Sequence, residues 1–186
     1  MTTIPLAVVL VEGVSDRRAL EALAERRGRI LTADGVAVVA MGGAKNIGRY
    51  LERFGPRGSD IAVAGLYDLA EEPDVRRGLE RAGFGSGSSR LELERLGFYA
   101  CDEDLEDELI RALGAERVVS IVEERGELGP FLTLQKQREW RGRPLDQQLR
   151  RFLGNSSRKI DYAPLLVAAL DLSRAPRPLD AVLSHI

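Results

Sequence analysis

The feature that most constrains the fold of this chain is a valine-rich apolar run from Leu6 to Val11 that ends on a carboxylate, Glu12. A run of this kind, without polar alternation, is typical of a β-strand that is covered on both faces and therefore lies in the centre of a sheet. An amphipathic helix pattern follows, in which Leu20 and Leu23 share one apolar stripe. A buried strand followed by such a helix predicts an α/β fold.

The same alternation of strand and helix patterns continues along the chain. Further strands are predicted at Val36–Met41, at Ile61–Tyr67 and at about Gly97–Cys101. Helix patterns follow them near Asn46–Phe54, after Pro73, and where Leu105, Leu109 and Leu113 recur at helical spacing. We therefore predict a mostly parallel sheet of about four strands flanked by helices, with right-handed crossovers.

The carboxyl-terminal part of the chain has a different pattern. After about Gly126 only helices are predicted, near Leu132–Trp140, Leu145–Leu153 and Tyr162–Leu170. We expect residues 1–126 to form the α/β domain and residues 127–186 to form a basic helical appendage.

Composition excludes several classes of protein. With one cysteine, Cys101, and one histidine, His185, among 186 residues, the chain cannot build a cysteine cage for zinc, a two-histidine zinc site or a nucleophile–histidine triad at an internal position. The longest apolar run, Ile4–Val11, is far shorter than the roughly 18 residues needed to span a bilayer. We expect a cytoplasmic protein without membrane contact.

Charge is distributed unevenly although the net charge is only −2. Six of the seven residues from Asp102 to Glu108 are acidic. A later segment is basic, with eight cationic residues: Lys136, Arg138, Arg141, Arg143, Arg150, Arg151, Arg158 and Lys159. This pattern suits a cation site beside a polyanion site, although solvated helix faces give similar counts. Trp140 lies in the basic segment and suits either stacking on a base or packing at helical spacing from Leu134.

Acidic residues follow three of the predicted strands. Glu12 ends the first, Asp68 ends the third, and the acidic cluster that begins at Asp102 follows the fourth. Because ligands of parallel sheets gather outside the carboxyl ends of the strands, these acids should converge on one edge. Oxygen ligands of this kind suit Mg²⁺ or Mn²⁺. A turn at Gly13 and a helix cap would explain Asp16 equally well. They would not explain Glu12, a carboxylate at the end of an apolar strand.

These residues resemble the Toprim domain, in which a glutamate follows the first strand and an Asp-x-Asp pattern follows a later one. Glu12 matches the glutamate, Asp68 the first aspartate and Glu72 a third acid, whereas Ala70 stands in place of the second aspartate. The resemblance implies a Toprim-like fold in which these acids bind a divalent metal.

The sequence is most similar to the Toprim domain of the OLD (overcoming lysogenisation defect) nucleases. Three segments carry this similarity: Val11–Asp16, Met41–Asn46 and Asp104–Leu109. The resemblance implies that Asp16, Asp104 and Glu106 join the metal ligands and that a lysine in a later helix serves catalysis, for which Lys159 is the candidate. It also implies an ATPase partner on a separate chain, because this sequence has no Gly-x-x-x-x-Gly-Lys-[Ser/Thr] phosphate loop.

Together these features predict a metal-dependent nuclease or nickase that cleaves DNA phosphodiester bonds with Mg²⁺ or Mn²⁺. Glu12 and Lys159 are the candidate catalytic residues, and the remaining cations of the basic segment would bind the nucleic-acid backbone. Two alternatives stay open, a non-catalytic RecR-like binding module and a Toprim ribonuclease acting on RNA. The sequence also allows a homo-oligomer.

Overall fold

The computed structural model describes residues 5–186, and of Ser156 only the backbone. Ile4, the first residue of the apolar run, lies outside the described residues. Four strands form one parallel sheet in the order β2-β1-β3-β4: β1 (Ala7–Val11), β2 (Val36–Ala40), β3 (Ala62–Asp68) and β4 (Phe98–Cys101). All four predicted strands are confirmed, as is the central position of β1.

Each residue of β1 is buried because helices cover both faces of the sheet. Val8 and Leu10 face one apolar cluster, which contains α2 (Ile47–Phe54) and α3 (Glu72–Ala82). The residues that alternate with them, including Val9, face a larger cluster that contains α1 (Val14–Arg26). The alternation follows from the two-residue period of a strand. An additional short helix, α4 (Arg90–Arg95), precedes β4 and was not predicted.

Six helices follow the sheet or its last strand: α5 (Leu105–Leu113), α6 (Ala115–Glu124), α7 (Leu128–Lys136), α8 (Leu145–Leu153), α9 (Ser156–Ala169) and α10 (Arg177–His185). The bounds of α8 agree with the prediction. The helix predicted to reach Trp140 instead ends at Lys136, because the backbone of Gln137 is extended. The helix predicted from Tyr162 begins at Ser156, where Asn155 provides a side-chain cap. Helices α6 and α10 were not predicted.

The carboxyl-terminal helices pack against the sheet part of the molecule. The larger cluster joins Val9 and Leu23 to Phe152, Tyr162 and Leu179, so α8, α9 and α10 share a core with β1 and α1. The division at residue 126 stays a prediction about domains, but the two parts are in contact through this apolar cluster. None of the helices formed by residues 5–186 is both long and apolar enough to cross a membrane.

Candidate active site

Acidic side chains meet in a pocket of about 280 Å³ at the carboxyl ends of the strands. We call it the acidic pocket and define it by its five carboxylates and one lysine: Glu12, Asp16, Asp68, Asp104, Glu106 and Lys159. Six of the residues predicted to form the site are therefore brought together. The parallel sheet explains the convergence, because β1, β3 and β4 all end at this edge.

The loop that carries Glu12 is held by a glycine turn after β2. The amides of Gly42 and Gly43 donate to the backbone oxygen of Glu12 over 3.0 and 3.2 Å. Both glycines have positive φ angles, 74° and 126°, which residues with a Cβ rarely adopt. The Gly13 amide donates to the Asp16 carboxylate over 2.7 Å. These contacts leave the Glu12 side chain at the pocket, and it forms no ion pair with any other described residue.

Two acids of the pocket come from the start of α5. Asp104 caps this helix, since its carboxylate accepts from the amide of Asp107 over 2.8 Å. Its other oxygen accepts from Arg150 over 2.8 Å. Glu106 is only 4% exposed. One oxygen of Glu106 accepts from Lys159 Nζ over 2.9 Å, whereas Oε1 is buried without a hydrogen-bond partner among the described residues.

The crowding of buried carboxylates shifts their pKa values upward. Burial, followed by repulsion from Glu12, raises the pKa of Asp68 to about 7. Burial also raises the pKa of Asp16 to about 6, despite the opposing hydrogen bond from Gly13. Burial lowers the pKa of Lys159, but its pairing with Glu106 outweighs this and the net shift is upward. The pocket therefore holds a charged lysine and more negative charge than it can stabilise alone.

The donor set fits a hard divalent cation. Carboxylate oxygens are the ligands that Mg²⁺ and Mn²⁺ prefer, and the unpartnered Oε1 of Glu106 is a buried acceptor that a cation would satisfy. However, within residues 5–186 no three acidic, histidine or cysteine side chains form a group ready to hold a metal ion. In this conformation Lys159 and Arg150 already occupy part of the carboxylate oxygens.

Glu72 is not brought to the acidic pocket. Its carboxylate pairs with Arg76 over 2.6 Å and accepts from the Tyr67 hydroxyl over 3.3 Å. Ala70, at the position of the second Toprim aspartate, is exposed in a short 3-10 helix, Leu69–Glu71, and does not line the pocket either. The structure thus supports Glu72 as an ion-pair partner on α3, and its assignment as a metal ligand stays a prediction.

The cations of the basic segment do not all lie in one place: some line a cleft beside the acidic pocket and others lie outside it. A second cleft of about 540 Å³ adjoins the acidic pocket and shares Asp104 and Lys159 with it. We call it the tryptophan cleft, and its other lining residues are Glu103, Asp107, Trp140, Arg143, Asp146, Gln147, Arg150, Arg151 and Gly154. Three of the predicted nucleic-acid-binding residues, Arg143, Arg150 and Arg151, therefore lie beside the carboxylates.

The other predicted nucleic-acid-binding residues lie outside this cleft. Arg158 pairs with Glu127 over 2.9 Å and its guanidinium lies 4.1 Å from the centre of the Phe152 ring, which indicates a structural contact. Lys136, Arg138 and Arg141 are exposed near the end of α7 and do not line the cleft. Their contact with nucleic acid stays a prediction.

Sequence reasoning left the role of Trp140 open. The interpretation as a packing residue depended on a helix extending to this position, which is not formed. Trp140 lies in the turn between α7 and α8, is partly exposed, and belongs to neither apolar cluster of the described residues. Gly142, which has a φ of 75° in the structure, and Pro144, which directly precedes α8, are the sequence signals that could have indicated the turn.

The parallel sheet of order β2-β1-β3-β4, with acids at three strand ends, agrees with the Toprim-like α/β fold expected from the sequence. Residues 6–69 match the family model of the overcoming lysogenization defect protein-like TOPRIM domain. The resemblance predicted from Glu12, Gly13 and Asp68 is thus confirmed. Comparison with curated proteins finds no significant match.

Solved structures extend this similarity to nearly the whole chain. The C-terminal region of the Burkholderia pseudomallei OLD protein superposes with a TM-score of 0.75 at 20% identity, covering 98% of this chain and 97% of that one. The C-terminal region of the Xanthomonas campestris pv. campestris OLD protein, in a structure phased with platinum, gives 0.73 at 23% identity, covering 98% and 92%. A structure of the same region phased with mercury gives 0.69 at 25%, covering 97% and 94%. The predicted fold class is therefore confirmed, including the carboxyl-terminal helices.

Proposed function

We propose that this protein is a metal-dependent nuclease that cleaves phosphodiester bonds in DNA. The observation that carries the proposal is the convergence of five carboxylates and one lysine in a single pocket, in which the buried Oε1 of Glu106 has no hydrogen-bond partner among the described residues. Asp104 caps α5 and Glu106 pairs with Lys159, but the raised pKa values of Asp16 and Asp68 mean that burying these acids together costs stability unless a cation is added.

The acids of the pocket would hold one or two Mg²⁺ or Mn²⁺ ions. Glu12, Asp68 and Glu106 are the principal ligands, and Asp16 and Asp104 support them. Such ions polarise a phosphate and lower the pKa of an attacking water. Because Glu12 has no ion-pair partner among the described residues, its carboxylate would be available as a metal ligand or as a base for an attacking water.

Lys159 supplies the positive charge of the chain nearest to the proposed reaction. Its ammonium lies 2.9 Å from the Glu106 carboxylate and its side chain is 31% exposed, so Lys159 can meet an incoming phosphate while Glu106 positions it. A cation held in place in this way stabilises negative charge that develops on phosphoryl oxygens.

The tryptophan cleft extends the proposed site toward a polynucleotide. Arg143 and Arg151 line it and form no salt bridge with another described residue, so both are available to phosphates. Backbone contacts of this kind bind without reading sequence and weaken steeply with salt. DNA is the proposed substrate, RNA is the alternative, and the OLD resemblance supports a separate ATPase partner. A cytoplasmic location and self-association remain part of the proposal.

A second candidate function is a non-catalytic Toprim module that bridges a partner to nucleic acid. Two observations favour it: Ala70 replaces the second aspartate of the Toprim pattern, and no described group of three side chains is ready to hold a metal. In that case Lys159 would act as the permanent counter-ion of Glu106.

Turnover decides between the two functions. The purified chain is incubated with supercoiled plasmid and Mg²⁺ or Mn²⁺, with and without excess chelator. We expect nicking that needs the metal and that is lost in Glu12→Gln, whereas the matched variant Glu25→Gln, an exposed acid of α1 outside the pocket, nicks like wild type. Equal nicking in chelator would refute the metal mechanism, and binding without nicking would support the non-catalytic module.

A further inference from the structure

Trp140 lines a cleft instead of packing into the core. It is the only tryptophan of the chain, and its side chain lines the tryptophan cleft while remaining outside both apolar clusters of the described residues. A partly exposed tryptophan in a cleft presents a large, rigid aromatic surface that packing has not used.

The turn that carries Trp140 is held by the buried side-chain amide of Gln148. Gln148 is only 5% exposed and donates to the Trp140 backbone oxygen over 2.8 Å. The side-chain oxygen of Gln148 accepts from Gln135 over 2.7 Å, so the amide is satisfied on both sides. A buried amide that is bonded through both its nitrogen and its oxygen restrains the turn between α7 and α8.

Arg143 completes the surface. Its guanidinium lies 5.4 Å from the centre of the Trp140 ring, and its Nε donates to the Glu139 backbone oxygen over 2.8 Å. A guanidinium over an indole adds a cation–π contact and a second planar group. Together Trp140 and Arg143 present the pair of groups that proteins use to stack nucleobases.

The charges of the tryptophan cleft favour a base over a continuous phosphate backbone. Four acids, Glu103, Asp104, Asp107 and Asp146, line it together with four cations. A polyanion laid along the whole cleft would meet those carboxylates. A neutral base between them, with its phosphate near Arg143 or Arg151, would not.

The position of the cleft links this surface to the proposed reaction centre, since Asp104 and Lys159 line both the cleft and the acidic pocket. We propose that Trp140 and Arg143 form a stacking site for one unpaired nucleobase of the strand whose phosphate enters the acidic pocket. This inference rests on the proposed function and names its substrate class: polynucleotides with an unpaired base next to the cleavage point.

The single tryptophan makes the test direct. Oligo-thymidylate is titrated into the protein in excess chelator, so that turnover plays no part, and tryptophan fluorescence is recorded beside the anisotropy of a labelled copy of the strand. We expect quenching that saturates with the same Kd as the anisotropy. Trp140→Ala should raise the Kd for the single strand about 5-fold or more, whereas Trp140→Phe should keep most of the wild-type affinity. The Kd for a blunt duplex should differ by less than about 2-fold between Trp140→Ala and wild type. Oligo-uridylate serves as the RNA arm.

Tyr50→Ala is the matched control, because Tyr50 is another partly exposed aromatic residue, on α2 and outside the cleft. Melting temperatures of all variants exclude unfolding as the cause. Binding by anisotropy without quenching, or an equal loss for single strand and duplex in Trp140→Ala, would overturn the stacking site. Absence of any binding would overturn it as well. Quenching without metal-dependent nicking would leave the stacking site standing and refute the nuclease alone.

Discussion

The acidic pocket and the tryptophan cleft share Asp104 and Lys159 but come from different levels of the fold. The acidic pocket is assembled at the edge of the sheet: parallel strands bring Glu12 and Asp68 there, and the start of α5, which follows β4, adds Asp104 and Glu106. The cleft is assembled by helices and one turn, with Trp140 between α7 and α8. A sheet edge concentrates charge at fixed spacing, whereas a turn between helices can present an aromatic ring.

The two regions also differ in what satisfies their charges. In the acidic pocket, burial and repulsion between carboxylates raise the pKa values of Asp16 and Asp68, and one oxygen of Glu106 has no partner within the part of the chain that the structure describes. In the cleft acids and cations are mixed, and Arg150 bonds both Glu103 and Asp104. The pocket therefore calls for an added cation, whereas the cleft suits a ligand with little net charge.

The largest expected effect is the loss of cleavage when a carboxylate of the acidic pocket is replaced. Glu106→Gln and Glu12→Gln should each reduce metal-dependent cleavage by about 100-fold or more, because each removes an anionic oxygen ligand and its charge. Single-turnover rates and Mg²⁺ titrations measure this. If Glu106→Gln cleaves like wild type while Glu12→Gln does not, Glu106 serves only to position Lys159.

Replacing the shared lysine should affect stability in a metal-dependent way. Lys159→Met leaves the 4%-exposed Glu106 without its partner, which we expect to cost about 1–3 kcal/mol of unfolding free energy in chelator. Mg²⁺ should stabilise Lys159→Met more than wild type, because a cation can take over the vacated carboxylate oxygen. Thermal unfolding with and without Mg²⁺ measures the difference, and an equal response of both proteins would contradict it.

The raised pKa values of the pocket predict an inverted pH dependence of stability. With the pKa of Asp68 at about 7 and that of Asp16 at about 6, these two groups bind more protons in the folded protein than in the unfolded chain between about pH 4 and pH 7. Stability in chelator should therefore fall as pH rises through this window. Melting temperature against pH tests this, and Asp68→Asn should flatten the profile. A wild-type profile that rises toward pH 7 would show that the pocket acids are not strained.

Charge contacts in the cleft should produce a smaller effect, on binding alone. Arg151→Ala should weaken DNA binding for unrelated sequences alike and reduce the slope of log affinity against log salt by about 1 unit. Arg150→Ala should in addition disturb the pocket, since Arg150 holds Asp104 over 2.8 Å. Salt titrations of binding, with cleavage rates beside them, distinguish the two arginines. If the slope were unchanged in both variants, the phosphate backbone of the nucleic acid would bind outside the tryptophan cleft.

The smallest effects are expected where the Toprim pattern and the structure diverge. Glu72→Gln and Ala70→Asp should each leave cleavage within about 2-fold of wild type, because neither residue lines the acidic pocket. A large loss in Glu72→Gln that is not matched by a loss of stability would restore Glu72 as a ligand. A gain of activity in Ala70→Asp would show that the second aspartate position reaches the site after all.

Much of the fold was determined by local sequence. The apolar run of β1, the acids at the ends of β1 and β3, and the periodic pattern of α8 were each predicted correctly because a strand covered on both faces and an amphipathic helix leave their mark within a few residues. The rule that parallel strands end at one edge then sufficed to group Glu12, Asp68 and the start of α5.

Only the tertiary structure decided the rest. The pairing of Lys159 with Glu106, 53 residues apart, depends on how α9 packs against α1 and α5, and nothing near either residue specifies that partner. Glu72 pairs locally with Arg76, four residues along α3, but only the folded molecule shows that this pair lies outside the acidic pocket. The fold also decides that Trp140 lines a cleft instead of the core. The local sequence pattern determines which face of a helix or strand is apolar. The partner of a polar side chain depends on which other element packs beside it, and that is decided only when the whole chain folds.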